Sequence, residues 1–323
     1  LDLVAKNWKS YFSALKEYKI NPSKFLGRPK PPKYKPKDGE SIIIFTSQNS
    51  RVKDGRIHFL KSTHLPPIKT RIQRYQQVRI IPKGNYYICE IIYQNQELNL
   101  NLNPDHVLGI DLGLNNLITA VNNVGKHPFV IKGGIVKSAN QFYNKINAFL
   151  QSTKDKQKCE FQTKQQQKIL KKRNNQIRDI FHKISRKVIH YCLQNDIGTI
   201  VVGYNKGWKQ AVTMGKRINQ TFVQVPFAKL TAMIEYKAKL VGIQIITHEE
   251  SYTSKCSFLD NESIEQHDTY AGKRVNRGLF RTSNGQIINA DVNGAYNITK
   301  KALPNAFAKG IAGLALIPYS MTI

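Results

Sequence analysis

From His106 onward the chain alternates short apolar runs with helical stretches in an order that leaves few folds open. HVLGIDLG, NLITAVNN and PFVIKGGIVKS follow one another with short connections, which predicts three consecutive antiparallel strands. A long helical stretch over 140–195 comes next, with Ile169, Ile177, Phe181, Ile184, Val188 and Tyr191 mostly at three- and four-residue steps on one core-facing stripe. Then come a fourth strand, GTIVVGY, the basic loop NKGWKQ, and a helix opened by Pro226 and stopped by Gly242. A fifth strand, IQIITHEE, leads into an irregular insertion over 251–289 and a closing helix that begins at Asp291. Strands separated by helices in this way make an α/β domain.

Acidic residues sit at three informative places in that order. Asp111 lies on the first strand, Glu249 and Glu250 end the fifth, and Asp291 opens the last helix. A carboxylate at the mouth of a buried strand is costly unless a cation neutralises it, so converging carboxylates point to a divalent-metal site. Taken singly, each has a plainer role: an Asp before Leu-Gly shapes a turn, Asp291 caps a helix, and glutamates are common at exposed strand ends. Taken together and in this order, they fit two Mg²⁺ ions acting on a phosphodiester. Glu250 is the preferred glutamate because it directly precedes SYTS, whereas Glu249 points to the opposite face if the strand continues; Glu249 remains the alternative acid.

The charge balance names the partner class. Fifty Lys and Arg against twenty-one Asp and Glu give a net charge of +29, a field that attracts a polyanion. Residues 154–187 hold twelve Lys/Arg against three Asp/Glu, too one-sided for paired surface ions. Lys164, Lys168, Lys171, Lys172 and Arg173 are therefore expected to contact phosphates. Four widely spaced cysteines, Cys89, Cys159, Cys192 and Cys256, form neither CxxC pairs nor a disulfide framework, which fits a reducing, cytoplasmic location. No apolar stretch reaches membrane-spanning length. The first residue is Leu, so part of the natural N-terminus is expected to be missing.

Before the α/β segment, residues 1–20 predict an amphipathic helix with Val4, Trp8, Phe12 and Leu15 on one face. The Pro- and Lys-rich INPSKFLGRPKPPKYKPKDG that follows is either an extended strap tracking a nucleic-acid backbone or a solvated linker. Residues 41–98 alternate with period two between turns, which predicts a small antiparallel sheet or barrel. Arg71, Arg74, Arg79 and Tyr87 interleave on its polar face as on a nucleic-acid platform.

Three antiparallel strands, helix, strand, helix, strand, helix is the order of the RNase H-like fold. Within it GIDLGLNNL, YTSKCS and DVNGAYN, with the upstream NPSKFLGRPKPPKYK, resemble the TnpB (OrfB) proteins of insertion sequences, relatives of type V CRISPR effectors. The resemblance implies the end of a helical recognition domain at 1–40, a wedge-like β-barrel at 41–105, and a RuvC-like nuclease at 106–323. It also implies a guide RNA from the transposon end, a double-stranded DNA target, Mg²⁺-dependent cleavage, and a prokaryotic, nucleoid-associated setting. Asp111, Glu250 and Asp291 then become catalytic residues and metal ligands.

Two departures from the family pattern carry consequences. The usual second acid ends the fourth strand, where this chain has Gly203, so a relocated glutamate from the neighbouring strand is required. The family's four-cysteine zinc ribbon is reduced to Cys256, and one thiolate cannot build a tetrahedral zinc site, so no structural zinc is expected. Besides an active RNA-guided endonuclease, the sequence leaves two alternatives. One is a nuclease-inactive RNA-guided DNA-binding regulator. The other is a transposase acting directly on DNA ends, although no His-hydrophobe-His motif occurs.

Overall fold

The computed structural model describes residues 2–34, 37, 39–204, 215–308 and 316–322; the basic loop NKGWKQ lies outside them. The chain divides into two units, Leu1–Gln94 and Asn95–Ile323.

In the N-terminal unit the alternating segments form two separate three-stranded antiparallel sheets. One pairs Ile43–Thr46 with Gln77–Pro82 and then Tyr87–Ile92. The other joins Ser50–Lys53, Arg56–Phe59 and Ile68–Lys69. Phe45, Ile57 and Val78 form their buried core, with the rings of Phe45 and Phe59 4.8 Å apart. The expected barrel does not close. Period-two alternation specifies strands and their inward faces, but closure needs a continuous ladder of hydrogen bonds, and here the ladder is split in two. The helix Asp2–Ile20 forms as expected, yet Val4, Trp8 and Phe12 are exposed.

The C-terminal unit is built on a six-stranded mixed sheet. Its elements are β1 (Asn103–Asp111), β2 (Asn116–Asn122), β3 (Phe129–Lys132), α1 (Gly134–Lys156), α2 (Lys164–Gln194), β4 (Ile197–Tyr204), α3 (Lys216–Gln224), α4 (Phe227–Leu240), β5 (Gln244–Glu249), β6 (Lys273–Asn276), β7 (Leu279–Arg281), β8 (Ile287–Asn289), α5 (Ala290–Ala302) and β9 (Tyr319–Ser320). The large sheet runs β5-β4-β1-β2-β3-β9. β1 to β3 are antiparallel neighbours, while β4 and β5 add in parallel. The helical stretch expected as one piece is two helices, because Thr163 and Gln166 form a reciprocal capping box that starts α2 afresh. Part of the insertion is ordered as the three-stranded antiparallel sheet β6-β7-β8.

Pleat parity decides what each face of the sheet does. Leu108, Ile110, Ile200 and Val202 point into the main core with Phe181, Ile184 and Val188 of α2. Val107 and Val201 point the other way, onto Ile298 of α5. Two glycines let α5 lie close on that face. A Cβ at Gly109 would sit 1.7 Å from Thr299 Oγ1, and one at Gly203 would sit 2.8 Å from Ile298 Cδ1.

Candidate active site

Counting on by twos from Val107 and Gly109 puts Asp111 on the α5 face of the sheet. In the parallel register Val201 pairs with Ile246 and Gly203 with His248, so Glu250, two residues further, belongs to the same face. α5 brings Asp291 to that face from its first turn. A Cβ on Gly294 would lie 3.4 Å from Asp111 Oδ2, which seats the Asp111 carboxylate against α5 one turn beyond Asp291.

The capping role that the sequence allows for Asp291 is filled by Asn289. Its Oδ1 accepts from the Asp291 and Val292 amides at 3.0 and 3.1 Å. The Asp291 carboxylate is therefore available to face the sheet. Asn116 Nδ2 on β2 donates to Asp291 Oδ2 at 2.8 Å, and Arg274 on β6 pairs with Oδ1 at 3.4 Å. Arg274, brought in by the insertion, is a site residue that sequence reasoning missed. The one signal for it was the basic composition of GKRVNRG.

Glu250 and Glu249 divide as strand alternation expects. The Glu250 carboxylate lies over Gly203, where a Cβ would come within 2.5 Å of its Oε2. Glu249 is exposed and accepts from the Ser251 amide at 2.9 Å, from Ser251 Oγ at 2.5 Å and from Lys301 Nζ at 3.0 Å. Those bonds, the Ser251 hydroxyl first, hold its carboxyl below the usual range.

The electrostatics link the three acids. Burial, then the charges of Glu250 and Asp291, push Asp111 up to about 8, against the opposing pull of Arg274. Burial, then the Glu249 charge, raises Glu250 to about 7. A buried carboxylate raised by its acidic neighbours belongs to an oxygen donor set suited to a hard divalent cation, whose charge would relieve both burial and repulsion. Among the described residues, no three His, Cys, Asp or Glu side chains are already grouped to hold a metal ion. Asp291 is turned toward Asn116 and Arg274, and Glu250 rests on Gly203.

α5 also fastens the insertion. Asn297 Nδ2 donates to the Thr253 and Cys256 carbonyls at 2.9 and 2.7 Å, and Asn293 bonds Cys256 O and the Phe258 amide. Further in, Glu262 accepts from the Ser257 and Ala271 amides, and Asp260 accepts from Ser283. Cys256 is buried, its thiol 3.6 Å from the Glu265 carbonyl.

The other sequence-selected residues sit on other elements. Lys164, Lys168, Lys171 and Lys172 are exposed on α2. Arg173 is engaged within the fold: Nε donates to Asn140 Oδ1 and Nη2 to Gln224 O, both at 2.7 Å. In the N-terminal unit Arg71 and Arg74 are exposed, and Arg71 lines an open cleft with Arg56 and Lys69.

These elements define a mixed α/β domain with interacting carboxylates at the mouth of its central strands. Residues 90–209 match the OrfB_IS605 family, described as a probable transposase, and residues 227–298 match the Cas12f1-like TNB domain. Residues 90–209 thus carry a TnpB/OrfB-type region and residues 227–298 a Cas12f1-like one. The chain is 29% identical over 239 residues to the CRISPR-associated endodeoxyribonuclease Cas12f2 of a Micrarchaeota archaeon, covering 69% of this chain and 41% of that protein. It is 26% identical over 207 residues to the TnpB-like protein ORF457 of Acidianus two-tailed virus, covering 61% and 42%. The chain therefore spans about two-fifths of the length of these curated relatives. The Cas12f1 chain in a Cas12f1-sgRNA-target DNA complex shares the fold, with a TM-score of 0.52 at 16% identity over 70% of this chain and 45% of that one. Among the described residues no helix is long and apolar enough to cross a membrane.

Proposed function

We propose that the chain belongs to an RNA-guided DNA endonuclease of a transposable element, with residues 106–323 as its RuvC-like nuclease domain and Asp111, Glu250 and Asp291 as the metal-holding acids. The observation that carries this reading is geometric: Asp111 Oδ2 lies against α5, 3.4 Å from where a Gly294 Cβ would be and one turn beyond Asp291, and Glu250 lies over Gly203 on the same face of the sheet. Acids supplied from β1, the end of β5 and the start of α5 share that face, and the charges of Glu250 and Asp291 add to burial in raising Asp111. The relative named above as an endodeoxyribonuclease supplies the substrate class. The guide RNA from the transposon end, the double-stranded DNA target and the nucleoid-associated setting follow the family resemblance, as do a recognition-domain end at 1–40 and a wedge module at 41–105.

In this reading Asp111, Glu250 and Asp291 hold two Mg²⁺ ions, which when bound supply charge stabilisation at the phosphodiester and a water of lowered pKa. Asn116 orients Asp291 through its 2.8 Å bond. Arg274 neutralises part of the carboxylate charge and is placed to exchange Asp291 for a phosphate oxygen. The exposed lysines of α2 add sequence-independent attraction to the nucleic-acid backbone. The Arg274–Asp291 ion pair also favours a second reading, a nuclease-inactive guided DNA-binding regulator in which a guanidinium replaces the cation.

Guided cleavage assays separate the two. Asp111→Ala and Asp291→Ala should abolish Mg²⁺-dependent cutting while target binding persists, since these acids act on the transition state. Glu250→Gln should do the same, whereas Glu249→Gln, exposed and bound to Lys301, should cut nearly as wild type. Wild type that binds a guided target and never cuts would establish the regulator instead.

A further inference from the structure

We propose that the outer face of α1 is a stacking track along which a single strand of DNA is led to the carboxylates. The direction of travel rests on the nuclease reading; the binding itself does not. Ile135, Phe142 and Phe149 are 52, 60 and 69% exposed, three large apolar side chains at seven-residue steps along one line of the helix. At 100° per residue they lie opposite Asn140, Asn147 and Gln151, whose side chains bond Arg173 and Gln166 of α2. The stripe therefore faces away from the helix that α1 packs on.

A helical protein partner fits this face poorly. Taking Ile135, Phe142 and Phe149 as one core position of a heptad, the other is Ser138, Lys145 and Ser152 or, counted the other way, Ala139, Ile146 and Thr153, of which only the half-buried Ile146 is large and apolar, so the apolar seam is narrow. Single-stranded nucleic acid fits it well. Lys145 and Lys156 share the face, α1 carries four Lys against one Asp, and the chain as a whole is at +29. Phe142 and Phe149 are separated by about 10.5 Å of helix rise, close to three nucleotides at ~3.4 Å each. Exposed rings on which bases stack, with lysines beside them for the phosphates, are how single strands are held without sequence preference.

The track starts beside the acids. The Gly133 amide donates to Asn115 O at 2.7 Å, Lys137 Nζ donates to Asn115 Oδ1 at 2.7 Å, and the next residue, Asn116, holds Asp291. The first turn of α1 is thus fastened to the β1–β2 turn that positions a catalytic carboxylate. Phe149 lies some 21 Å of helix rise beyond Ile135. A strand on this face would be DNA, because the strand that reaches the acids is the one to be cut.

The test is binding of fluorescein-labelled dT12 to the whole chain in EDTA, where no cutting occurs, with thermal melting to confirm folding. Phe142→Ala/Phe149→Ala should weaken binding at least about tenfold at fixed salt, since each stacked base contributes strongly. Phe142→Leu/Phe149→Leu should weaken it similarly, because an alkyl chain keeps the apolar surface and loses the ring. Phe142→Trp should bind at least as well as wild type and show indole quenching by dT12. Leu variants that bind as wild type, or absence of Trp quenching, would overturn stacking. Binding of U12 but not dT12 would overturn the DNA assignment. Unchanged dT12 affinity with a smaller sedimentation coefficient in the Ala variant would make the face a protein interface. A chain that passes these tests and never cuts would refute the nuclease reading while the track stands.

Discussion

Gly203→Ala tests the relocated glutamate without touching a carboxylate. The added methyl would lie 2.5 Å from Glu250 Oε2 and 2.8 Å from Ile298 Cδ1, both inside contact distance. Ile298 is only 2% exposed and packs on Val107 and Val201, so it has little room to yield. Overpacking of this kind costs about 1–3 kcal/mol. In a unit of this size each kcal/mol lowers Tm by about 2–4 °C, so a fall of roughly 2–12 °C is expected. The Glu250 carboxylate must also retreat by about 0.9 Å to reach ordinary contact near 3.4 Å, and displacements of ~1 Å at a reacting centre can cost about 10²-fold in rate. Gly134→Ala is the control, because a Cβ there meets nothing within 4 Å. Thermal melting and guided cleavage are measured on all three proteins. Wild-type Tm and wild-type cutting in Gly203→Ala would refute the placement of Glu250 over Gly203.

Other expectations follow from the same geometry. Arg274→Gln removes a cation that competes for Asp291, so half-maximal Mg²⁺ stabilisation in a thermal-shift titration should move several-fold lower; a rise would show that Arg274 assists metal binding. Asp111 and Glu250 have folded-state proton affinities raised above ordinary carboxylates, so the folded chain binds more protons than the unfolded one between about pH 4 and 8, and their contribution to stability is lost as pH rises through that window. Tm measured in EDTA at pH 5 and pH 8 should show a shallower decline in Asp111→Asn than in wild type; equal slopes would contradict the shift. Removing charge at Lys164, Lys168, Lys171 and Lys172 should flatten the salt dependence of DNA binding by up to about 0.9 for each phosphate that is no longer neutralised. Arg173→Gln should instead lower Tm, because that guanidinium ties α2 to Asn140 and Gln224, and an unchanged Tm would return it to the phosphate-contacting set.

Much of the C-terminal α/β domain was legible because its signals are local. GIDLG marks a buried strand carrying an acid, and alternation assigns Glu249 and Glu250 to opposite faces. T-x-x-Q at Thr163 and Asn289 before Asp291 were readable capping signals, although the helix break and the cap were assigned only from the structure. What the sequence could not show depends on contacts between distant segments. Gly203 looks like a lost acid until the Glu250 carboxylate is found in its place. Arg274 reaches Asp291 only because the insertion folds into its own sheet, and Arg173 looks like its lysine neighbours until Asn140 arrives beside it. Whether the N-terminal strands make a sheet or a barrel was unreadable for a related reason: strand pattern carries no information about closure.

The way α5 grips the insertion has an evolutionary consequence. Its two asparagines hold the entry segment at Thr253 and Cys256, while the helix itself supplies Asp291 and carries the residues that flank Asp111 and Gly203. Mutations at the exposed positions between residues 260 and 286 are thereby decoupled from the acids, apart from Arg274, whereas Phe280 is buried against Val121 and the α5 residues Val292 and Tyr296 and is held with the scaffold. A lineage could shed cysteines, lengthen hairpins or exchange surface charge in that stretch while selection on the scaffold stayed unchanged, so the two parts can drift at different speeds.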